Sequence, residues 1–172
     1  MKIIARLVLL GLALSGLTTS AATVAEAADV TRLAEPGMTA APFAEAVAVP
    51  PGYTTYYVSG SLATPQKPAS GGKPAVWGDI GYQTKSVLTN LKGTLAKLGL
   101  SFGDVVQAHV FMAPDPAMQG GIDFAGMNKV WLTEFGTKDQ PNRPARAAFK
   151  VAGLASAGPL LEIEFIAVKK AK

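Results

Sequence analysis

Arg146 stands near the start of an apolar, strand-like run over residues 145–152. Glu162 opens a second run, Leu161-Glu-Ile-Glu-Phe-Ile-Ala-Val168, which alternates at the period of a strand. Two opposite charges expected on neighbouring strands carry chemical weight, because burying either one costs several kcal/mol unless it meets a partner. A guanidinium held in a strand is shaped to grip a carboxylate through two parallel hydrogen bonds. The two residues together therefore suggest a pocket for a small carboxylic acid, with a carboxylate beside it to handle a proton or a water. The alternative is a structural ion pair between adjacent strands.

The elements that would position these residues must come from one domain. The chain has 172 residues, enough for a single core plus a targeting extension. Lys2 and Arg6, the apolar stretch 7–17 and the small-residue motif Ala25-Glu26-Ala27 predict a secretory signal over residues 1–27, with a mature chain over 28–172. The apolar stretch is shorter than the roughly 20 residues of a bilayer-spanning helix, and no later segment is apolar enough, so no membrane span is expected. The expected location is periplasmic or secreted. Loss of Lys2, Arg6 and Glu26 takes the basic count from 16 to 14 and the acidic count from 12 to 11, a net charge of +3. So mild a charge, without a basic cluster interleaved with aromatics, argues against a nucleic-acid partner. Cysteine is absent and there is one His, which excludes disulfides, thiolate nucleophiles and a Cys/His metal cluster.

Along the chain, residues 28–42 read as an irregular arm. Residues 44–49 and 54–59 read as short strands with Pro50-Pro51-Gly52 turning between them. Residues 62–81 read as a long loop, with Trp77 a plug that anchors it. Leu88, Leu91, Leu95 and Leu98 recur at helical spacing before Gly99. A strand over 104–112 follows, with Val106, Ala108, Val110 and Met112 on one face and Val105, Gln107, His109 and Phe111 on the other. His109 reads as a hydrogen-bonded structural residue. Asp123 caps a second helix whose buried stripe is Phe124, Met127, Val130, Trp131 and Phe135. The predicted class is α/β (α+β), in the order β-β-loop-α-β-α-β-β: one sheet with two helices on one face. Its other face needs cover, which suits an oligomer.

The ordered set Asn142-Arg-Pro-Ala-Arg-Ala-Ala-Phe-Lys-Val151, Leu154 and Leu161-Glu-Ile-Glu-Phe-Ile-Ala-Val168 resembles the C-terminal signature of the RidA (YjgF-like) reactive-intermediate deaminases. Val58-Ser-Gly60, Leu88-Thr-Asn-Leu91, Leu98-Gly99, Gly103-Asp-Val-Val106 and Asn128 with Trp131 and Phe135 agree upstream. The likeness spans residues 42–170.

The resemblance implies a chorismate-mutase-like fold assembled as a homotrimer with sites between subunits. It implies that Arg146 binds the carboxylate of a 2-imino acid or its enamine tautomer and that Glu162 positions and activates water. The backbone at Ala148 would contact the imine nitrogen, Asn128 and Phe43 would shape the cleft, and Ser59 and Gly60 would line it. The implied activity is hydrolytic deamination to a 2-keto acid and ammonia, with no metal or organic cofactor. The chain departs from the family pattern at Ala148, where many members have Cys, and at Phe43, where a Tyr hydroxyl is lost. Its long loop and its predicted export depart as well. The competing expectations are a non-enzymatic small-carboxylate-binding protein and a chaperone-like or ribonuclease activity.

Overall fold

The computed structural model describes residues 29–34 and 41–171. The expected signal segment and Lys172 lie outside the described residues. The elements in chain order are β1 (Thr31–Leu33), β2 (Ala46–Ala48), β3 (Tyr53–Leu62), α1 (Ile80–Lys97), β4 (Val105–Met112), α2 (Phe124–Trp131), β5 (Ala145–Lys150) and β6 (Leu161–Lys170). The main sheet runs β3-β6-β4-β5, and β1 and β2 form a separate two-stranded sheet. β4 and β5 are parallel, because α2 carries the chain back across the sheet between them; β6 is antiparallel to both β3 and β4. The expected element order holds with one addition: β1 lies in the segment read as an irregular arm and supplies the partner of β2. A three-residue strand is too short to show a period.

Both helices cover the same face of the main sheet, and their apolar stripes define the core. α1 contributes Ile80, Val87, Leu88, Leu91 and Leu95; α2 contributes Met127 and Trp131; the sheet contributes Ala108, Val110, Met112, Ile163 and Phe165. α1 begins at Ile80, earlier than the leucine repeat suggests, because the Asp79 carboxylate accepts the Tyr82 amide at 2.8 Å and caps the helix. Gly99, at φ +69°, ends it. Leu98, expected in the stripe, is its exposed C-cap. Asp123 caps α2 as expected, accepting from the Gly126 amide at 2.8 Å. Phe135 reaches the core from the turn after α2 and stacks on Trp131 with ring centroids 4.3 Å apart.

β4 departs from simple alternation. The register slips between Val105 and Gln107, so Val105 enters the core with Ala108, Val110 and Met112 rather than sharing a face with His109. A bulge of this kind inserts one residue and reassigns the faces beyond it. The loop 63–79 carries a small antiparallel turn, with bridges Lys67↔Val76 and Ser70↔Lys73. Trp77 packs against the core at the end of that loop, over Gly158, where a Cβ would overlap the indole.

Gln83, fully buried on α1, ties the ends of two loops together. Its amide donates to Gly78 O at 3.1 Å, and its oxygen accepts the Leu160 amide at 2.7 Å. The opposite face of the sheet presents Tyr57, Gln107, His109, Phe111, Ala147, Phe149, Glu162, Glu164 and Ile166 with no helix over it among the described residues. Tyr57 is 81% exposed there and Phe149 43%. Replacing Gln83 with Leu should strand two buried backbone groups and lower stability by about 1–3 kcal/mol, read as a drop in urea midpoint without a change in slope.

Candidate carboxylate site

β5 sets the direction of Arg146. Its register partner on β4 is Ala108, a core residue, so the guanidinium points to the helix-covered face. There α2 meets it with residues spaced three and four apart, the spacing that shares one helix face. Nη2 donates to Asn128 Oδ1 at 2.7 Å, and Nη1 lies 3.8 Å from Met127 Sδ. Three rings surround the cation: Trp131 at 4.7 Å, Phe43 at 5.5 Å and Phe124 at 5.8 Å from Cζ to centroid. Such rings attract a cation through their negative faces.

Nε is buried without a hydrogen-bond partner, and no carboxylate lies within ion-pair distance of the guanidinium among the described residues. Burial pulls its pKa down to about 10. Of the five N–H groups of a guanidinium, Asn128 and the Met127 sulfur engage two and Nε–H is enclosed. One N–H on each terminal nitrogen therefore remains for a ligand. Ala148 follows on the same face, opposite Val110 and against the core.

Phe43 is brought to this place by backbone contacts on either side of it. The Trp131 indole N–H donates to Pro42 O at 2.7 Å, and the Ala44 amide donates to Pro144 O at 2.8 Å, in a parallel bridge to Ala145. Arg146, Ala148, Asn128 and Phe43, all expected at the site, therefore lie at the β5 edge, where Arg146, Asn128 and Phe43 are in direct contact. The importance of Trp131 and Phe124 as walls of the guanidinium was hidden in the sequence, where both read simply as a buried stripe. Phe124 is in fact 41% exposed. The usable signal was the i, i+3, i+4, i+7 spacing of Phe124, Met127, Asn128 and Trp131.

The remaining expected residues lie elsewhere. Between Val58 and Ser61 the β3–β6 register shifts, leaving Ser59 and Gly60 in an exposed bulge. Glu162 lies over that bulge: a Cβ at residue 60 would overlap its carboxylate, so the glycine makes the close approach possible. Glu162 pairs with Leu62 on β3 and Phe111 on β4, which places it on the face opposite Arg146.

The expectation that Arg146 and Glu162 occupy neighbouring strands is corrected: β4 lies between β5 and β6. Their partners on β4, Ala108 and Phe111, are three positions apart, an odd number that puts the side chains on opposite faces. An ion pair between the two within one chain is excluded. The paired carboxylate is instead Glu164, whose Oε1 lies 2.8 Å from His109 Nδ1, while His109 Nε2 is 3.0 Å from Gln107 Nε2. His109 is thus hydrogen-bonded at both nitrogens, as expected of a structural residue. One chain therefore carries two separate features: a caged cation at the β5 edge, and a carboxylate over a bulge beside the β3 edge.

Comparison with known proteins supplies the context for this arrangement. The family model described as Endoribonuclease L-PSP matches residues 34–169. A 2-iminobutanoate/2-iminopropanoate deaminase of Bos taurus is 38% identical over 128 residues, covering 74% of this chain and 80% of the relative. Among solved structures, E. coli TdcF with bound serine is similar with a TM-score of 0.51 and 30% identity, over 67% of this chain and 80% of that one. The E. coli YjgF gene product is similar with a TM-score of 0.51 and 31% identity, over the same shares. The chorismate-mutase-like fold expected from the sequence is the fold these relatives share. With its sheet, its helices and nearly all of its length after the arm matched, the chain belongs to the RidA (YjgF-like) family.

Proposed function

We propose that the protein is a hydrolytic deaminase of reactive 2-imino and enamine acids, releasing a 2-keto acid and ammonia. The observation that carries this reading is the Arg146 guanidinium, desolvated, walled by rings and without a carboxylate partner among the described residues. Such a cation is stabilised by a small anion that enters with two acceptor oxygens. Similarity to 2-iminobutanoate/2-iminopropanoate deaminases supports the same substrate class.

In the reaction, Arg146 holds the substrate carboxylate and so fixes the C=N carbon beside the β5 backbone at Ala148. A water held by Glu162 adds to that carbon, and Glu162 accepts its proton. That proton passes to nitrogen to give the neutral carbinolamine; its hydroxyl proton is then taken by Glu162 and delivered to the amine as the C–N bond breaks, so that ammonia leaves as the carbonyl forms. Positioning of water and imine accounts for much of the acceleration, and the carboxylate acts as general base. Asn128 orients Arg146, while Phe43 closes the pocket on one side. Ser59 and Gly60 shape the ground under Glu162.

Because the half-sites lie at opposite edges of the sheet, the proposed active cleft forms between copies, with the β5 edge of one chain meeting the β3 edge of the next. A head-to-tail contact of this kind closes into a ring, and the family resemblance points to three members. The open sheet face, with Tyr57, Phe111, Phe149 and Ile166, supplies apolar surface for that assembly. The N-terminal sequence supports cleavage near Ala27–Ala28 and a periplasmic or secreted location. Among the described residues no helix is long and apolar enough to cross a membrane. Phe43, lacking the hydroxyl of the family Tyr, favours a second reading in which the carboxylate grip is kept and turnover is lost.

Purified protein should hasten the loss of imino acids generated by an amino-acid oxidase and trapped with semicarbazide; unchanged trapping beside ligand-induced thermal stabilisation supports the binder instead. Arg146→Ala should abolish both 2-keto acid binding and turnover, and Arg146→Lys should restore little, since it lacks the planar fork. Glu162→Gln should retain binding while turnover falls about 100-fold or more, as for loss of a general base.

Mixing tests the shared cleft. Arg146→Ala and Glu162→Gln chains, each inactive alone, should recover about a quarter of wild-type activity when coexpressed in equal amounts, because random head-to-tail pairing leaves one site in four intact. No recovery in demonstrably mixed assemblies would place both residues of a site in one chain and defeat the arrangement.

A further inference from the structure

We infer that Trp131 is the positioning residue of the carboxylate grip: one buried side chain sets both the guanidinium and the ring that closes over it. This inference rests on the deaminase reading for its functional consequence and on geometry for its substance. The indole face lies 4.7 Å from Arg146 Cζ, the shortest of the three ring contacts. The indole cannot shift freely. Phe135 stacks on it at 4.3 Å and 18°, and Phe102 and Phe165 brace Phe135 at 4.9 and 6.0 Å. The platform under the cation is therefore the rigid centre of the core, with Trp131 wholly buried.

The indole has a second task at its edge. Its N–H donates to Pro42 O at 2.7 Å, joining residues 89 positions apart. Together with the Ala44–Pro144 bond, this holds the arm on both sides of Phe43 and presents that ring to Arg146. Filling the core asks only for volume, which Phe or Leu could supply; the N–H to the arm is a separate feature that only Trp provides here. With Phe43 in place, the guanidinium is shielded from water, and a charge-assisted bond to a carboxylate is stronger for it. Without the N–H, the arm is held at Ala44 alone and Phe43 is free to swing aside.

Trp131→Phe separates the two tasks, since it keeps a stacked ring and removes the N–H. The experiment measures 2-ketobutyrate affinity by calorimetry, steady-state hydrolysis of 2-iminobutanoate, and hydrogen exchange at the Ala44 amide, for wild type, Trp131→Phe and Phe43→Ala. The expected result is a rise of about tenfold in both Kd and KM for each variant, a fall in kcat/KM of at least that size, and faster Ala44 exchange in Trp131→Phe. Faster exchange with unchanged Kd would overturn the positioning role, as would a loss in Trp131→Phe that Phe43→Ala does not reproduce. Unaltered exchange would overturn the hold on the arm.

If the wild type neither binds 2-ketobutyrate nor hydrolyses the imine, the deaminase reading falls instead. The Ala44 exchange and the NMR shift of Arg146 Nε–H, which Trp131 shields by its ring current, then decide the inference alone. An Arg146 signal unmoved by Trp131→Leu would overturn it.

Discussion

The Arg146 guanidinium is a cation held in the apolar half of the molecule with rings on its flanks, one amide oxygen as its partner and no counter-charge within reach among the described residues. Burial of this kind is unfavourable on its own, so the surrounding structure must over-determine it. Several features of the fold converge on that requirement. β5 delivers the residue to the helix-covered face, α2 supplies the amide and the indole, and the arm folds back to bring in Phe43. The parallel β4–α2–β5 connection accounts for most of this, because the helix that crosses between two parallel strands must pack over them. Asn128 and Trp131 are therefore carried to Arg146 by topology rather than by proximity in sequence.

The order of the elements after β1, the Asp123 cap, the stop at Gly99 and the alternating last strand were legible from local pattern. Asp123 and Gly99 announce themselves by residue type, and Leu88, Leu91 and Leu95 by spacing. What was not legible was strand order. Arg146 and Glu162 lie on consecutive strands in sequence, and adjacency is the natural first reading, yet β4 sits between them. A parallel neighbour arrives by crossover and an antiparallel one by return, and neither is marked in the strands themselves. The same limitation hid the His109–Glu164 pair, which is read off the β4–β6 register at once but has no signature in spacing. The bulges at Val105 and at Ser59–Gly60 were also invisible, since one inserted residue leaves a local pattern that still resembles a strand.

The proposed cleft between copies gives the unpaired charges a common explanation. Among the described residues of a single chain Arg146 lacks an anion and Glu162 lacks a cation; the first lies on the outer strand β5 and the second beside the outer strand β3. Were they adjacent, they would neutralise one another and leave nothing for a ligand. In the proposed assembly, their placement on opposite faces keeps both available for a cleft between copies. The Gly60 bulge serves the same end, since it lets the carboxylate lie over backbone instead of projecting into water. Glu164, one step along the strand, is already satisfied by His109 and has no such freedom.

The bond from Trp131 to Pro42 spans 89 positions, and this has a consequence for the order in which the molecule is made. Residues 42–44 emerge before α2 during synthesis, but the indole that secures them belongs to α2, and the Pro144 carbonyl that secures Ala44 comes later still. Contacts of such long range carry a loop-closure cost that local helices and hairpins do not. The ring that covers Arg146 is thus fixed only once α2 and Pro144 have both been made. An outer strand such as β5, before the arm bridges it at Ala145, is open to mispairing with other unfinished chains.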